Sequence, residues 1–336
     1  MFKCREHDAK FYIFDARRHI AATANRMAGK GGTENAAAYV NTELIHCNID
    51  NIHVMRGSYE ALGELVAPSA QSETLMSENV GGAGFFQKLE DCGWLRYIHL
   101  LLLSCVRIAS KIHLEGSSCL VHCSDGWDRT AQLCSITQIM LDPYFRTLDG
   151  IATLIEKEWC SFGFKFNERC GHHADYGHKS SERSPIFVQF LDSLYQICHQ
   201  FPTSFEFNEY FLVFLCDHQF SGLFGTFLCD YDKMKSELEV KESTVSIWSY
   251  VFRHKDRFIN PNYVEFPSPI WPSYNFSKLK LWERFHMRWN PDTHPNSIDG
   301  VGWAEDWYVV LCFLMEYIFI YKTHTHFYHL SFYLLD

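Results

Sequence analysis

The stretch Ser118-Cys119-Leu120-Val121-His122-Cys123-Ser124-Asp125-Gly126-Trp127-Asp128-Arg129-Thr130 leaves this chain few folds to choose from. Its apolar start reads as a short buried strand, the polar run as a tight loop, and Thr130 to Leu141 as a helix. A strand that turns sharply into a helix belongs to an α/β protein, with the loop at the carboxyl end of the strand, where open α/β sheets bind ligands. Cys123 and Arg129 form a Cys-x5-Arg pair, a spacing that lets both face one bound phosphate. Backbone N–H groups of Ser124 to Arg129 would curl into a nest, and the helix behind them adds its positive end. That field favours the thiolate of Cys123, the nucleophilic form. The planar fork of Arg129 can grip two phosphate oxygens as they gain charge. Thr130 is placed to hydrogen-bond the sulfur when it leaves.

Cys-x5-Arg alone is a weak signal, and a reduced cysteine in an ordinary strand–turn–helix is its plain alternative. Here only Cys123 of thirteen cysteines has an arginine six residues on, and it sits between an apolar strand and an amphipathic helix, with Gly126 inside the loop.

A chain of 336 residues, 47% hydrophobic and 16% aromatic, can bury a large core as one big domain or two smaller ones. A formal charge of −10 argues against general nucleic-acid binding, so an anionic ligand must meet a local basic pocket. Thirteen cysteines without a CxxC pair point to free thiols in a reducing compartment. Met1 to Asp8 has no apolar run of signal-peptide type, which makes a cytosolic location the expectation.

Elsewhere Lys10–Asp15 and Thr42–Cys47 read as strands, and Asn51 to Arg56 opens a helix. A glycine-rich turn carrying Arg26 and Lys30 could approach a phosphate, although a solvated loop is the ordinary reading. Residues 68–84 read as a surface loop. Trp94 to Ala109 has the spacing of a core helix. Lys165 and Arg169, four apart, would share a helix face, for which solvation is the ordinary role. His172, His173 and His178 lie in a polar loop without a ligand set for a metal. Ile186 to Cys229 is an apolar, aromatic helical region built for packing. Trp307 to Tyr321 is apolar but shorter than the roughly 20 residues that cross a bilayer.

The string His122 to Thr130 resembles the signature of the myotubularin family of phosphoinositide phosphatases. Asn51-Ile52-His53-Val54-Met55-Arg56, Glu156 to Cys170, Gln200 to Phe211 and Leu223 to Cys229 resemble further segments of that family, so the likeness runs from about Phe2 to Asn296. It implies an α/β fold with a central mixed sheet flanked by helices and a large helical carboxyl-terminal half. Residues 1–298 would be the phosphatase domain, without its first strands or the family's PH-like lipid-binding domain, and 299–336 an atypical apolar tail.

The resemblance also implies removal of the 3-phosphate of phosphatidylinositol 3-phosphate, with phosphatidylinositol 3,5-bisphosphate as a second substrate, through a phosphocysteine and without metal or cofactor. Cys123 would attack, Arg129 would stabilise charge, and Asp128 is the candidate acid, with Asp125 second. Ser124, Asp125, Gly126 and Trp127 would cradle phosphate, Asn25, Asn51 and Ile52 would hold the headgroup, and Lys165 with Arg169 would bind a second ring phosphate. Expected partners are phosphoinositide headgroups at endosomal membranes and other family members in homo- or hetero-oligomers. A phosphotyrosine phosphatase and a non-catalytic family partner stay open as alternatives.

Overall fold

The computed structural model describes residues 10–27, 29, 32–34, 38–67, 83–172 and 181–288. The glycine-turn Lys30, the 68–82 part of the surface loop, His173, His178 and the apolar tail lie outside them.

Three strands form the sheet: β1 (Phe11–Arg17), β2 (Thr42–Ile49) and β3 (Ser118–His122). Their order is β2-β1-β3, and both pairings are parallel. Instead of the expected mixed sheet, the described residues form a small parallel one. β1 is the middle strand, which explains an apolar run with little alternation: six of its seven residues are buried. Phe11 lies opposite Ser118 and Asp15 opposite His122, so Arg17 projects past the end of β3, level with the loop after that strand.

Helix α1 (His19–Met27) comes after β1, and α2 (Ile52–Val66) after β2. Helices α3 (Ala83–Cys92) and α4 (Trp94–His113) then lead back to the sheet. Helix α4 buries Trp94, Ile98, Leu101, Leu102, Cys105, Ile108 and Ala109, the apolar stripe expected of a core helix, and packs on β2, β3 and the helix after β3. Each fully buried aliphatic side chain in that stripe stabilises the domain by about 1.5–3 kcal/mol. The helix after β3, α5 (Arg129–Leu141), is buried on nearly all sides between α4 and the helical half.

That half begins with α6 (Leu148–Ile155), which runs into a π-helical turn (Glu156–Ser161), and α7 (Phe166–Cys170) comes next. Two long helices, α8 (Ile186–Gln200) and α9 (Glu209–Ser221), complete it together with shorter turns. In the π turn Phe162 N–H donates to the Lys157 carbonyl and Phe164 N–H to that of Trp159. Wide turns of this kind recur beside functional sites because they change the direction of the chain. Here the turn delivers Phe164-Lys165-Phe166. Phe164 packs on Trp159, 4.9 Å between ring centres, and Phe166 on Phe187 and Phe227 at 5.3 and 5.0 Å. The residue between them is therefore turned the other way, toward the loop after β3.

Candidate functional site

Cys123 directly follows β3 and is buried, and Arg129 opens α5; Ser124, Asp125 and Gly126 between them are exposed. Gly126 has φ +96, a backbone conformation that L side chains resist, and it turns its N–H onto the Cys123 sulfur at 3.2 Å. Arg129 spans the loop. Its Nη1 donates to the Ile49 carbonyl at the end of β2 (3.2 Å) and its Nη2 to Ser124 Oγ (3.3 Å). Arg129 Nε, Thr130 Oγ1 and Trp127 Nε1 are buried with no hydrogen-bond partner among the described residues. Buried donors are nearly always paired, so three in one turn mark a place where a ligand's acceptors would be accommodated.

Asp128 occupies the N-cap position of α5, where an aspartate ordinarily accepts from the first N–H groups of its helix. It makes no such bond. Its carboxylate is turned away to Arg169, which donates Nε to Oδ1 and Nη2 to Oδ2, both at 2.9 Å. The first turn of α5 is left with its positive end uncovered by any side-chain cap, a favourable position for an anion.

Lys165 and Arg169 lie one helical turn apart, the Arg169 N–H donating to the Lys165 carbonyl at 2.8 Å, but their side chains differ in exposure. Lys165 is the residue before α7, and Asp230 rather than any neighbour caps that helix, accepting from the N–H groups of Asn167 (2.8 Å) and Glu168 (3.2 Å). Arg169 points inward, its side chain 4% exposed against 29% for Lys165. Hydrogen bonding to Asp128 raises the Arg169 guanidinium above its ordinary range against the opposing effect of burial, which is the larger single influence. The Lys165 ammonium lies over the Trp127 ring, 4.7 Å from its centre, and meets Glu168 at 3.1 and 3.2 Å. Both cations thus adjoin the loop, one through Trp127 and one through Asp128.

Asn51 caps α2, its Oδ1 accepting from the N–H groups of His53 and Val54 at 3.1 Å each. It stands two residues beyond the Ile49 carbonyl that holds Arg129. Ile52 gives its carbonyl to Ser184 Oγ at 2.8 Å. Asn25 lies within α1.

Sequence reasoning passed over the far face of β1. Asp15 and Arg17, two apart and hence on one face, form a fully buried pair through Arg17 Nε to Oδ1 (2.9 Å) and Nη2 to Oδ2 (2.8 Å). Asp15 raises the Arg17 guanidinium above its ordinary range by hydrogen bonding. His122 Nε2 meets Glu34 Oε2 at 3.2 Å. The signal was present: two charges alternate on an otherwise apolar strand, and isolated charge is rarely buried without function or partner. By contrast, burial pushes the thiols of Cys47 and Cys119 up to about 11 and that of Cys134 to about 12, which keeps them protonated at neutral pH.

A parallel α/β core in which one strand delivers an exposed loop onto a helix with no side-chain cap is the class these elements define. A family model for the myotubularin-like phosphatase domain matches residues 2–236. Myotubularin of Xenopus laevis is 43% identical over 295 residues, covering 87% of this chain and 47% of the relative. The phosphatidylinositol-3,5-bisphosphate 3-phosphatase MTMR2 is 45% identical over 287 residues in Gallus gallus and 44% in Mus musculus, covering 85% of this chain and 48% and 43% of those relatives. The chain belongs to the myotubularin-related phosphatase family. It spans about half the length of these relatives.

Proposed function

We infer that this chain hydrolyses the 3-phosphate of a phosphoinositide headgroup through a phosphocysteine on Cys123. The observation that carries the reading is the loop itself: a Gly126 N–H held on the Cys123 sulfur, Arg129 braced across the loop, and three buried donors without partners among the described residues. The family adds the substrate class, since its MTMR2 members are named as phosphatases of a phosphorylated inositol lipid.

In the first half of the reaction the Cys123 thiolate forms a bond to phosphorus while the bond from phosphorus to the inositol oxygen breaks. Arg129 and the loop N–H groups hold the charge on the equatorial oxygens, and the departing oxygen takes a proton from Asp128. In the second half water attacks phosphorus, Asp128 accepts its proton, and Thr130 donates a hydrogen bond to the departing sulfur. Both Asp128 oxygens accept from Arg169 in the structure, so in each proton transfer one of them must leave Arg169 and turn to the reacting oxygen.

Phosphate release from a panel of short-chain phosphoinositides and a phosphotyrosine peptide tests the reading. Release from lipids carrying a 3-phosphate, with the peptide slower by at least about tenfold in kcat/KM, is the expected result. Faster release from the peptide would assign the chain to protein dephosphorylation. Absence of turnover on every substrate would make it a binding partner.

A further inference from the structure

Arg146 ends the short turn Pro143–Arg146 that follows α5, and only 1% of its surface is exposed. Its Nη2 donates to the carbonyls of Phe266 (2.8 Å) and Ser268 (3.0 Å), so backbone groups hold it where a carboxylate would be the ordinary partner. Nε and Nη1 are buried with no hydrogen-bond partner among the described residues. Burial pushes the guanidinium below its ordinary range. A desolvated arginine with two unpartnered donors favours any anion brought within its reach.

The segment lying over Arg146 has two backbone anchors. Val264 N–H donates to the Thr203 carbonyl (2.8 Å), and Ile270 N–H to that of Met140 (2.9 Å), near the end of α5 remote from the phosphate loop. Between them Glu265, Phe266, Pro267 and Ser268 are exposed, outside any helix or strand. Ser268 precedes Pro269, and an exposed serine before proline in an irregular segment is what a proline-directed protein kinase accepts. Its hydroxyl is joined through its own Cβ and Cα to the carbonyl that Arg146 holds, so a phosphoryl group there reaches the guanidinium.

We propose that Ser268 is a phosphorylation site whose phosphate pairs with Arg146 and fastens residues 264–270 to the end of α5. The serine oxygen bonds to the γ-phosphorus of a nucleoside triphosphate, its proton passes to the kinase, and the nucleoside diphosphate leaves. Phosphoserine supplies a dianion and acceptor oxygens for the two unpartnered donors of a planar fork. Asp142, which caps the turn, and Glu265 oppose it by repulsion, without a direct contact to Arg146 among the described residues. The site is remote from Cys123 and stands independently of the catalytic reading.

Treating the full chain with a proline-directed serine/threonine kinase and magnesium ATP tests the proposal. Peptide mass spectrometry should place phosphate on Ser268, with at least about tenfold less in Pro269→Ala. In a phosphorus NMR titration of the folded phosphoprotein, the second pKa of phosphoserine, about 6 in an open chain, should fall, because Arg146 favours the dianion. The melting temperature should rise by a few degrees, and the rise should vanish in Arg146→Met. A pKa at or above that of the unfolded phosphoprotein would mean that Asp142 and Glu265 prevail, and it would overturn the pairing without any variant. An unchanged or lowered melting temperature would overturn it too, as would kinase treatment that leaves Ser268 unmodified.

Discussion

Arg169 holds both carboxylate oxygens of Asp128 and so keeps the N-cap residue of α5 from capping its own helix. A residue forty-one positions further on thereby leaves the amino end of α5 open to an anion. The pair is nearly dry, with side chains 4% and 11% exposed. Removing the arginine alone leaves a buried carboxylate uncompensated.

Arg169→Met should therefore destabilise the domain by about 3 kcal/mol. The double variant Asp128→Asn with Arg169→Met should lose clearly less than the two single losses combined. Urea denaturation of the four proteins measures the coupling. Strict additivity would mean that the two side chains do not act on each other.

Asp128→Asn should slow release of an inositol hydroxyl, a poor leaving group that needs a proton, by about a hundredfold or more. An activated aryl phosphate, which departs without one, should suffer far less. Equal losses on both substrates would give Asp128 a role in shaping the loop instead.

Gly126→Ala separates conformation from space. A methyl group there meets no atom within 4 Å, so its cost is the left-handed backbone alone, about 1–2 kcal/mol. The loop can relieve that strain only by rotating the N–H that now points at the Cys123 sulfur. The melting temperature should fall by a few degrees while turnover falls about a hundredfold. Turnover that tracks the small stability loss would show that this N–H is not part of the phosphate nest.

His218 provides a stability switch away from the site. Its ring packs 4.3 Å from that of Phe214 and 4.9 Å from that of Phe224, and burial lowers its imidazole from 6.5 to about 4. Between those values the unfolded chain takes up a proton that the folded chain refuses. Stability should fall as pH drops through that window, by on the order of 3 kcal/mol in all, and level off below it. His218→Gln should flatten this part of the profile in denaturation curves taken from pH 7 to 4; an unchanged slope would place the titration elsewhere.

The strand–loop–helix around Cys123 was legible because every signal in it is local: an apolar run, a glycine where φ turns positive, and helix spacing afterwards. The strands and α5 agree within two residues, with β2 ending at Ile49 rather than Cys47 and α5 starting at Arg129 rather than Thr130, while α4 runs four residues past Ala109. The four-residue spacing of Lys165 and Arg169 does correspond to one helical turn, but spacing did not show that one side chain would be buried and the other partly exposed. The π turn and the Phe164–Phe166 anchor place Lys165 outside α7.

The partners that decide the site's electrostatics lie far off in sequence, Asp128 for Arg169 and Asp230 for the start of α7, and no periodicity encodes them. Asn51 carries the composition of a helix cap, which is what its Oδ1 does. The mixed sheet was expected from the resemblance alone, and nothing in the three strand segments themselves specified direction.

In the proposed reaction Cys123 carries the phosphoryl group between substrate and water. Rapid acid quenching of wild-type protein during turnover of short-chain phosphatidylinositol 3-phosphate, with peptide mass spectrometry of the quenched protein, tests it most directly. One phosphoryl group is expected on the peptide containing Cys123, absent from Cys123→Ser, which should release no phosphate. Steady turnover with that peptide unmodified, or wild-type rates in Cys123→Ser, would contradict it.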